Sequence, residues 1–299
     1  MRILVSGASG LVGRALCARL TALGHTPVRL VRRAATGPDE IAWNPAAGVL
    51  EPRSLAGCAA VVHLAGAGIA EQPWTPARRH ELVESRVRST ALLAHALAAS
   101  PAPPGVLVSA SASGWYGDRG DETLGESATP GAGFLPELAQ AWEAAAAPAA
   151  AAGIRVAHPR TAIVLAAQGG ALAALLPLFR CGLGGPLGNG RQWWSWITLD
   201  DMVASLVHAI ACDDVRGPFN AGSPAPVTNA AFAHTLGRVL RRPALLPAPA
   251  FALRLALGRD LADAVLLSSQ RLAPAVLERT GFRFAHPALE PALACVLGG

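Results

Sequence analysis

Lysine is missing from this sequence: all 25 basic residues are arginine. That excludes Schiff-base chemistry, a Walker-type phosphate lysine and any lysine-assisted acid or base. Arginine cannot take over the last role, because its guanidinium stays protonated. Tyrosine is nearly absent as well, with Tyr116 alone. Charged residues make up 15% against 52% hydrophobic, a balance that excludes a disordered chain. The five cysteines (Cys17, Cys58, Cys181, Cys212, Cys295) are far apart and form no C-x-x-C pair. A disulfide framework is therefore not expected, and a cytoplasmic location is. The eight histidines show no ligand spacing with cysteine or acids, so no metal is expected. No apolar run reaches the roughly 20 residues of a membrane helix, and Arg2-Ile3-Leu4-Val5 opens the chain without a signal-peptide pattern, so no membrane partner is expected. The net charge is +5, but the arginines are scattered, and the densest stretch (Arg78, Arg79, Arg86, Arg88) is interleaved with Glu81 and Glu84. Nucleic acid is not an expected partner.

What is present is a βα rhythm over 299 residues. Apolar stretches at 2–6, 27–31, 61–64, 106–108 and 154–157 read as strands. Between them lie helical patterns: one ending at Gly24, one from Thr75-Pro76 to about Ala99, and an Ala-rich one over 136–152. This alternation predicts an α/β fold with a doubly wound parallel sheet of the Rossmann type. The expected boundaries are 1–165 for the Rossmann domain, with 200–240 partly contributing, and 166–199 plus 241–299 for a smaller α+β substrate-side domain. Asp200-Asp201 and Thr228-Asn229 are candidate helix caps in the second half.

Four motifs carry chemistry. Gly7-Ala8-Ser9-Gly10-Leu11-Val12-Gly13 follows the first strand and opens a helix, the setting in which such glycines let backbone amides approach a pyrophosphate. The second strand ends in Leu30-Val31-Arg32-Arg33 with no acid to accept from a ribose 2′-hydroxyl. Arginine there suits a 2′-phosphate, which points to NADP(H) through Arg32. Leu64-Ala65-Gly66 ends the strand 61–64 with small residues that leave room for adenosine and ribose. Ser109-Ala110-Ser111-Ala112-Ser113 lies just past the strand 106–108, on the ligand side of such a sheet, with Tyr116, Asp118, Asp121 and Glu122 following. Ser109 is assigned to the cofactor, and Ser111 and Tyr116 are the candidate catalytic hydroxyls. The three acids either serve as acid/base groups or solvate a loop.

With these stretches together, the chain resembles the atypical extended short-chain dehydrogenases/reductases of the NAD-dependent epimerase/dehydratase superfamily. More closely, it resembles the SDR39U-type epimerase family. The matching stretches run nearly end to end: the glycine loop, Leu64 to Gly66, Pro73-Trp74, Ser85-Arg86, Trp142-Glu143, Arg160 to Leu165, Phe179 to Gln192 and Trp196 to Asp201. The resemblance implies NADP(H) held by the glycine loop, Arg32, Leu64, Ala65, Gly66, Glu81, Arg86 and the backbone near Ile163. It also implies a small carbonyl or nucleotide-sugar-type substrate and a monomer or homodimer.

The wider superfamily uses a Tyr-x-x-x-Lys pair, and here the corresponding helix reads Phe134-Leu135-Pro136-Glu137-Leu138. Phe134 has no hydroxyl and Leu138 no charge, so residue type excludes the usual mechanism. Two readings stay open: an NADP(H)-dependent oxidoreductase or epimerase-like enzyme with another proton group, or a non-catalytic NADP(H)-binding redox sensor or binding module. Arg191, Trp193 and Trp194 are the candidate substrate-side residues, since indole rings stack on bases or sugars and arginine pairs phosphate. Trp196 is assigned to the core.

Overall fold

The computed structural model describes residues 1–298. The first half runs β1 (Arg2–Ser6), α1 (Leu11–Ala22), β2 (Thr26–Val31), β3 (Glu40–Ala42), β4 (Ala60–His63), α2 (Pro76–Val83), α3 (Ser89–Ala98), β5 (Val106–Ser109), β6 (Ser111–Ala112), β7 (Thr123–Leu124), α4 (Phe134–Ala144), α5 (Ala147–Ala151), β8 (Arg155–Thr161) and β9 (Ile163–Leu165). The second continues with α6 (Gly170–Arg180), β10 (Trp193–Trp194), β11 (Trp196–Thr198), α7 (Leu199–Ala211), β12 (Gly217–Ala221), β13 (Val227–Thr228), α8 (Asn229–Leu240), α9 (Ala250–Leu257), α10 (Arg259–Leu261), β14 (Arg271–Leu272), α11 (Ala275–Arg279) and α12 (Leu289–Val296).

The main sheet has the order β3-β2-β1-β4-β5-β8-β12, with every pair along it parallel. This is the predicted doubly wound arrangement, and the strand order reverses between β1 and β4, where such sheets open a ligand crevice. The strands are apolar on both faces because helices cover both. Alternation divides them: Ile3, Val5, Val62 and Val108 pack with Leu16, Leu20, Met202 and Leu206 of α1 and α7. Leu4, Val61 and Leu107 point the other way, onto Leu93 and Leu97 of α3. A separate core joins Leu172, Leu176 and Phe179 of α6 to Trp194, Trp196, Phe232, Leu236, Leu289 and Leu293. The two cores interleave in sequence: α8 packs in the smaller one, while Val276 and Leu277 of α11 return to the sheet.

Local chemistry adjusts the expected elements. Thr75 caps α2, accepting from the Arg78 amide at 3.2 Å. The helix that follows is broken by a π turn at Glu84–Arg88. The Ala-rich stretch splits into α4 and α5, with Pro148 in the first turn of the second, where its missing N–H costs nothing. The cap of α7 is Thr198 rather than Asp200 or Asp201. The Asp201 carboxylate instead accepts from the amides of Ala285 (2.8 Å) and His286 (3.0 Å), fastening the C-terminal loop to the helix. Among the described residues, no helix is long and apolar enough to cross a membrane.

Candidate functional site

The glycine loop turns β1 into α1. Gly7 takes φ +65°, and a Cβ there would meet the Leu64 carbonyl carbon and oxygen at 2.8 Å. A Cβ on Gly13 would stand 2.1 Å from the Gly7 carbonyl oxygen. Glycine at these positions lets α1 start directly against the loop. Gly10 is the N-cap, no side chain caps the helix, and its first turn holds no acid. The first-turn amides, around Leu11, Val12 and Gly13, therefore have no acceptor within the helix, and the positive end of the dipole is not neutralised. Ser9 is exposed, and its carbonyl accepts from Arg14 Nη1 at 2.5 Å.

The two arginines after β2 separate cleanly. Arg33 is forked onto Glu40 with two bonds of 2.7 Å. This bond, with those from Thr36, holds the Glu40 carboxyl down at about 2. Arg32 is exposed and, among the described residues, has no hydrogen-bond or ion-pair partner. Its guanidinium is therefore free to pair an anion such as a phosphate.

At the end of β4, Leu64 and Ala65 donate their amides to Ser6 Oγ at 3.0 and 3.3 Å. Ser6 thereby accepts twice, so its own proton points to His63 Nδ1 at 2.6 Å. His63 Nε2 then carries the ring hydrogen and donates to Ser89 Oγ at 3.3 Å. Full burial pushes the His63 imidazolium down to about 4. Below its ordinary value of about 6.5 the unfolded chain binds this proton and the folded chain does not, so stability is lost as pH falls from 6.5 toward 4. The loss expected from His63 is about 3 kcal/mol, and urea unfolding across that window should show a flatter slope for His63→Gln than for the wild type.

Gly66 lies against Arg86, whose Nη2 donates to the Ala67 carbonyl at 2.8 Å and Nη1 to that of Leu82 at 3.3 Å. The guanidinium also lies 5.1 Å from the Trp142 ring centre. Burial, with the nearby Arg78, lowers its pKa to about 10. Glu81 is largely exposed and binds Arg78 at 2.7 Å, so its contact is one step removed from the crevice. Ser109 is fully buried, and its hydroxyl has no partner. The Ile163 amide is engaged by the Ser195 carbonyl at 3.1 Å, and Ile163 lines the cleft.

The cleft is a cavity of about 340 Å³. Ser111 and Thr161 close its floor beside Ile163, Trp193 and Arg86. The turns of α4 facing it carry Leu135, Leu138, Ala139 and Trp142. Phe134 does not line it and packs edge to face on Trp74, with ring centres 5.1 Å apart. The i, i+4 pairs on the cleft side, Leu135 with Ala139 and Leu138 with Trp142, carry no hydroxyl and no charge, as expected of Phe134 and Leu138.

Ser111 and Tyr116 have different fates. Ser111 Oγ donates to Glu143 Oε1 at 2.6 Å, and Arg160 grips both oxygens of Glu143 at 2.9 and 3.0 Å. This serine–carboxylate–guanidinium chain starts in the cleft, and Glu143 had no sequence signal beyond the Trp142-Glu143 match. Tyr116 has no solvent exposure. Its hydroxyl donates to Asn220 Oδ1 at 2.8 Å and accepts from Arg160 at 3.1 Å. Burial raises its pKa. The expected catalytic Tyr116 is corrected on this ground: its proton is committed inside the core and does not reach the cleft.

The remaining acids are bonded locally. Asp118 accepts from the Ser269 amide at 3.0 Å, Asp121 from Trp193 Nε1 at 2.7 Å, and Glu122 pairs with Arg119. Trp193 and Trp194 both line the cavity, Trp194 mostly from within the core. Arg191 is exposed and absent from the lining, which removes it as a cleft residue. Sequence reasoning missed Gln270, Ser268, Ala264 and Val265, which the C-terminal segment brings to the cleft from about 70 residues beyond Trp194. Among the described residues no cluster of histidine, cysteine or acids could hold a metal.

Comparison with known proteins agrees with the fold. Residues 3–222 match the profile of the NAD dependent epimerase/dehydratase family, and residues 248–296 match a domain of unknown function, DUF1731. An epimerase family protein of Mycobacterium bovis is 44% identical over 291 residues, covering 97% of this chain and 96% of that protein. The human epimerase family protein SDR39U1 is 36% identical over 297 residues, covering 98% of each. A crystal structure of the human protein (isoform 2) with NADPH superposes with a TM-score of 0.90 at 33% identity, covering 100% of this chain and 99% of that one.

Proposed function

The chain belongs to the NAD dependent epimerase/dehydratase family, and on that premise we propose that it is an NADP(H)-dependent oxidoreductase or epimerase-like enzyme acting on a small carbonyl or nucleotide-linked substrate. The observation that carries the reading is the Ser111–Glu143–Arg160 chain opening into a cleft beside an intact dinucleotide loop. The glycine-loop amides would hold the pyrophosphate and Arg32 the 2′-phosphate; the bound relative supports the choice of NADPH. Bound there, the nicotinamide supplies or accepts hydride. The chain's own residues handle the oxygen and its proton. Ser111 orients the substrate oxygen by a hydrogen bond, and in the oxidative direction takes its proton while passing its own to Glu143. Arg160 fixes Glu143 for that transfer. The free, separated thiols suit a cytoplasmic protein, working as a monomer or homodimer.

A specific observation also favours the redox-sensor reading: the α4 face toward the cleft is wholly apolar, and Arg86 is the one charged side chain lining that cavity. Titration with NADPH and NADH, followed by tryptophan fluorescence, tests what the two readings share. NADPH should bind at least about tenfold tighter than NADH, and Arg32→Ala should erase the difference, about 1.4 kcal/mol. Equal affinity for the two in the wild type sinks the 2′-phosphate assignment. NADPH oxidation against carbonyl compounds then separates enzyme from sensor.

A further inference from the structure

The cleft continues outward into a second cavity of about 340 Å³, sharing Gly114, Leu135, Ala264, Ser268 and Gln270 with the first. The two are continuous, and their charge can be read side chain by side chain. The inner cavity is lined by Ile69, Leu135, Leu138, Trp142 and Val265, with serine and threonine hydroxyls, Gln270 and Arg86. The outer one carries Asp118, Asp260 and Asp263 against Arg79 alone.

A nucleoside diphosphate needs cations, and none in reach is free. Arg79 is bonded to Asp260 while lying over the rings of Trp74 and Phe134. Arg254 and Arg259 share Asp263, Arg119 holds Glu122, and Arg160 holds Glu143. Two of the Arg86 nitrogens are spent on backbone carbonyls. Arg191 and Arg271 have no carboxylate partner among the described residues, but neither lines the space, and Arg271 lies over the Trp193 ring instead. The helix N-terminus at Gly133–Phe134 meets Asp118 in the same cavity, and Pro136 removes one of its amide donors. Asp260 and Asp263 are neutralised by these same arginines, so the mouth offers a diphosphate no uncommitted cation, and desolvating its two charges there is unfavourable.

Resting on the proposed function, and narrowing it, we propose that the substrate is an uncharged, largely apolar carbonyl or hydroxyl compound, not a nucleoside diphosphate sugar. The apolar walls bind its body and Ser111 its oxygen, while a mouth whose arginines are already paired gives an anion nothing to bind.

The test is binding, read by equilibrium dialysis with and without saturating NADPH, so that cofactor and substrate readings fail separately. The probes are 4-phenylbutan-2-one, its anionic counterpart 3-phenylpropanoate, and UDP-glucose. The ketone should bind at least about tenfold tighter than the carboxylate, and UDP-glucose should not bind at about 1 mM. Asp260→Asn/Asp263→Asn frees Arg79, Arg254 and Arg259 and should narrow both gaps. UDP-glucose binding tighter than the ketone, ketone and carboxylate binding alike, or no binding of the ketone overturns the proposal. Loss of NADPH binding, measured alone, would instead defeat the cofactor assignment.

Discussion

Gly13→Ala is expected to lower NADPH affinity at least about 100-fold, roughly 2.7 kcal/mol, in a chain that still folds. The reason is steric and local. The added Cβ would stand 2.1 Å from the Gly7 carbonyl oxygen and 2.8 Å from the Ala8 Cα. Both are backbone atoms, so no side chain can rotate away. Either α1 shifts off the end of β1 or the loop from Gly7 to Gly10 opens, and each movement displaces the amides meant for the pyrophosphate. Gly105→Ala is the control, because the nearest atom to its Cβ is the Ala59 carbonyl oxygen at an ordinary 3.8 Å. Fluorescence titration should find the control unchanged, and circular dichroism should find both variants folded. Affinity of Gly13→Ala within threefold of the wild type would mean that the loop does not hold the cofactor.

The fold was legible because its signals are local. Five strands of the main sheet are short apolar runs between turn signals, and the glycine loop sits where the first one ends; the edge strands β3 and β12, with Glu40 in one and Gly217-Pro218 opening the other, carry no such run. The partition between Arg32 and Arg33 needed β3, because Glu40 is what occupies Arg33. Ser111 and Tyr116 are five residues apart and read alike in sequence. The turn at Ser113–Tyr116 sends one hydroxyl to the cleft and the other to Asn220, 104 residues away. The acid behind Ser111 is 32 residues on, and only the packing of α4 against β6 and β8 brings Glu143 there. Phe134 finds an aromatic partner in Trp74 that no periodicity within the helix reveals. Arg191 looked like a cleft residue from its place two positions before Trp193, but it lies in the exposed loop ahead of β10 and its side chain stays outside the cavity.

Arg160→Met should cost about 4 kcal/mol of stability, lowering the melting temperature by roughly 8 °C. Arg160 is 2% exposed, and its partner Glu143 11%. Besides forking onto Glu143, its Nη1 donates to Tyr116 and to the Glu126 carbonyl, both at 3.1 Å, and the guanidinium lies 3.8 Å from the Trp115 ring centre. Asn220 extends the network through its amide to the carbonyls of Leu124 and Ala273, each at 2.9 Å. One cation therefore joins β8, α4, β12 and the approach to α11, and removing it strands a buried carboxylate. Most of the cost is that stranded charge rather than the worth of the pair. Glu143→Leu/Arg160→Met should accordingly recover at least half of the loss. A single variant costing under about 1 kcal/mol would show that the pair holds nothing together. The double variant also separates stability from chemistry. It restores packing but leaves Ser111 without an acceptor for its proton. Under the proposed function carbonyl turnover stays lost while NADPH binding stays near the wild-type level. A merely structural pair would give back both.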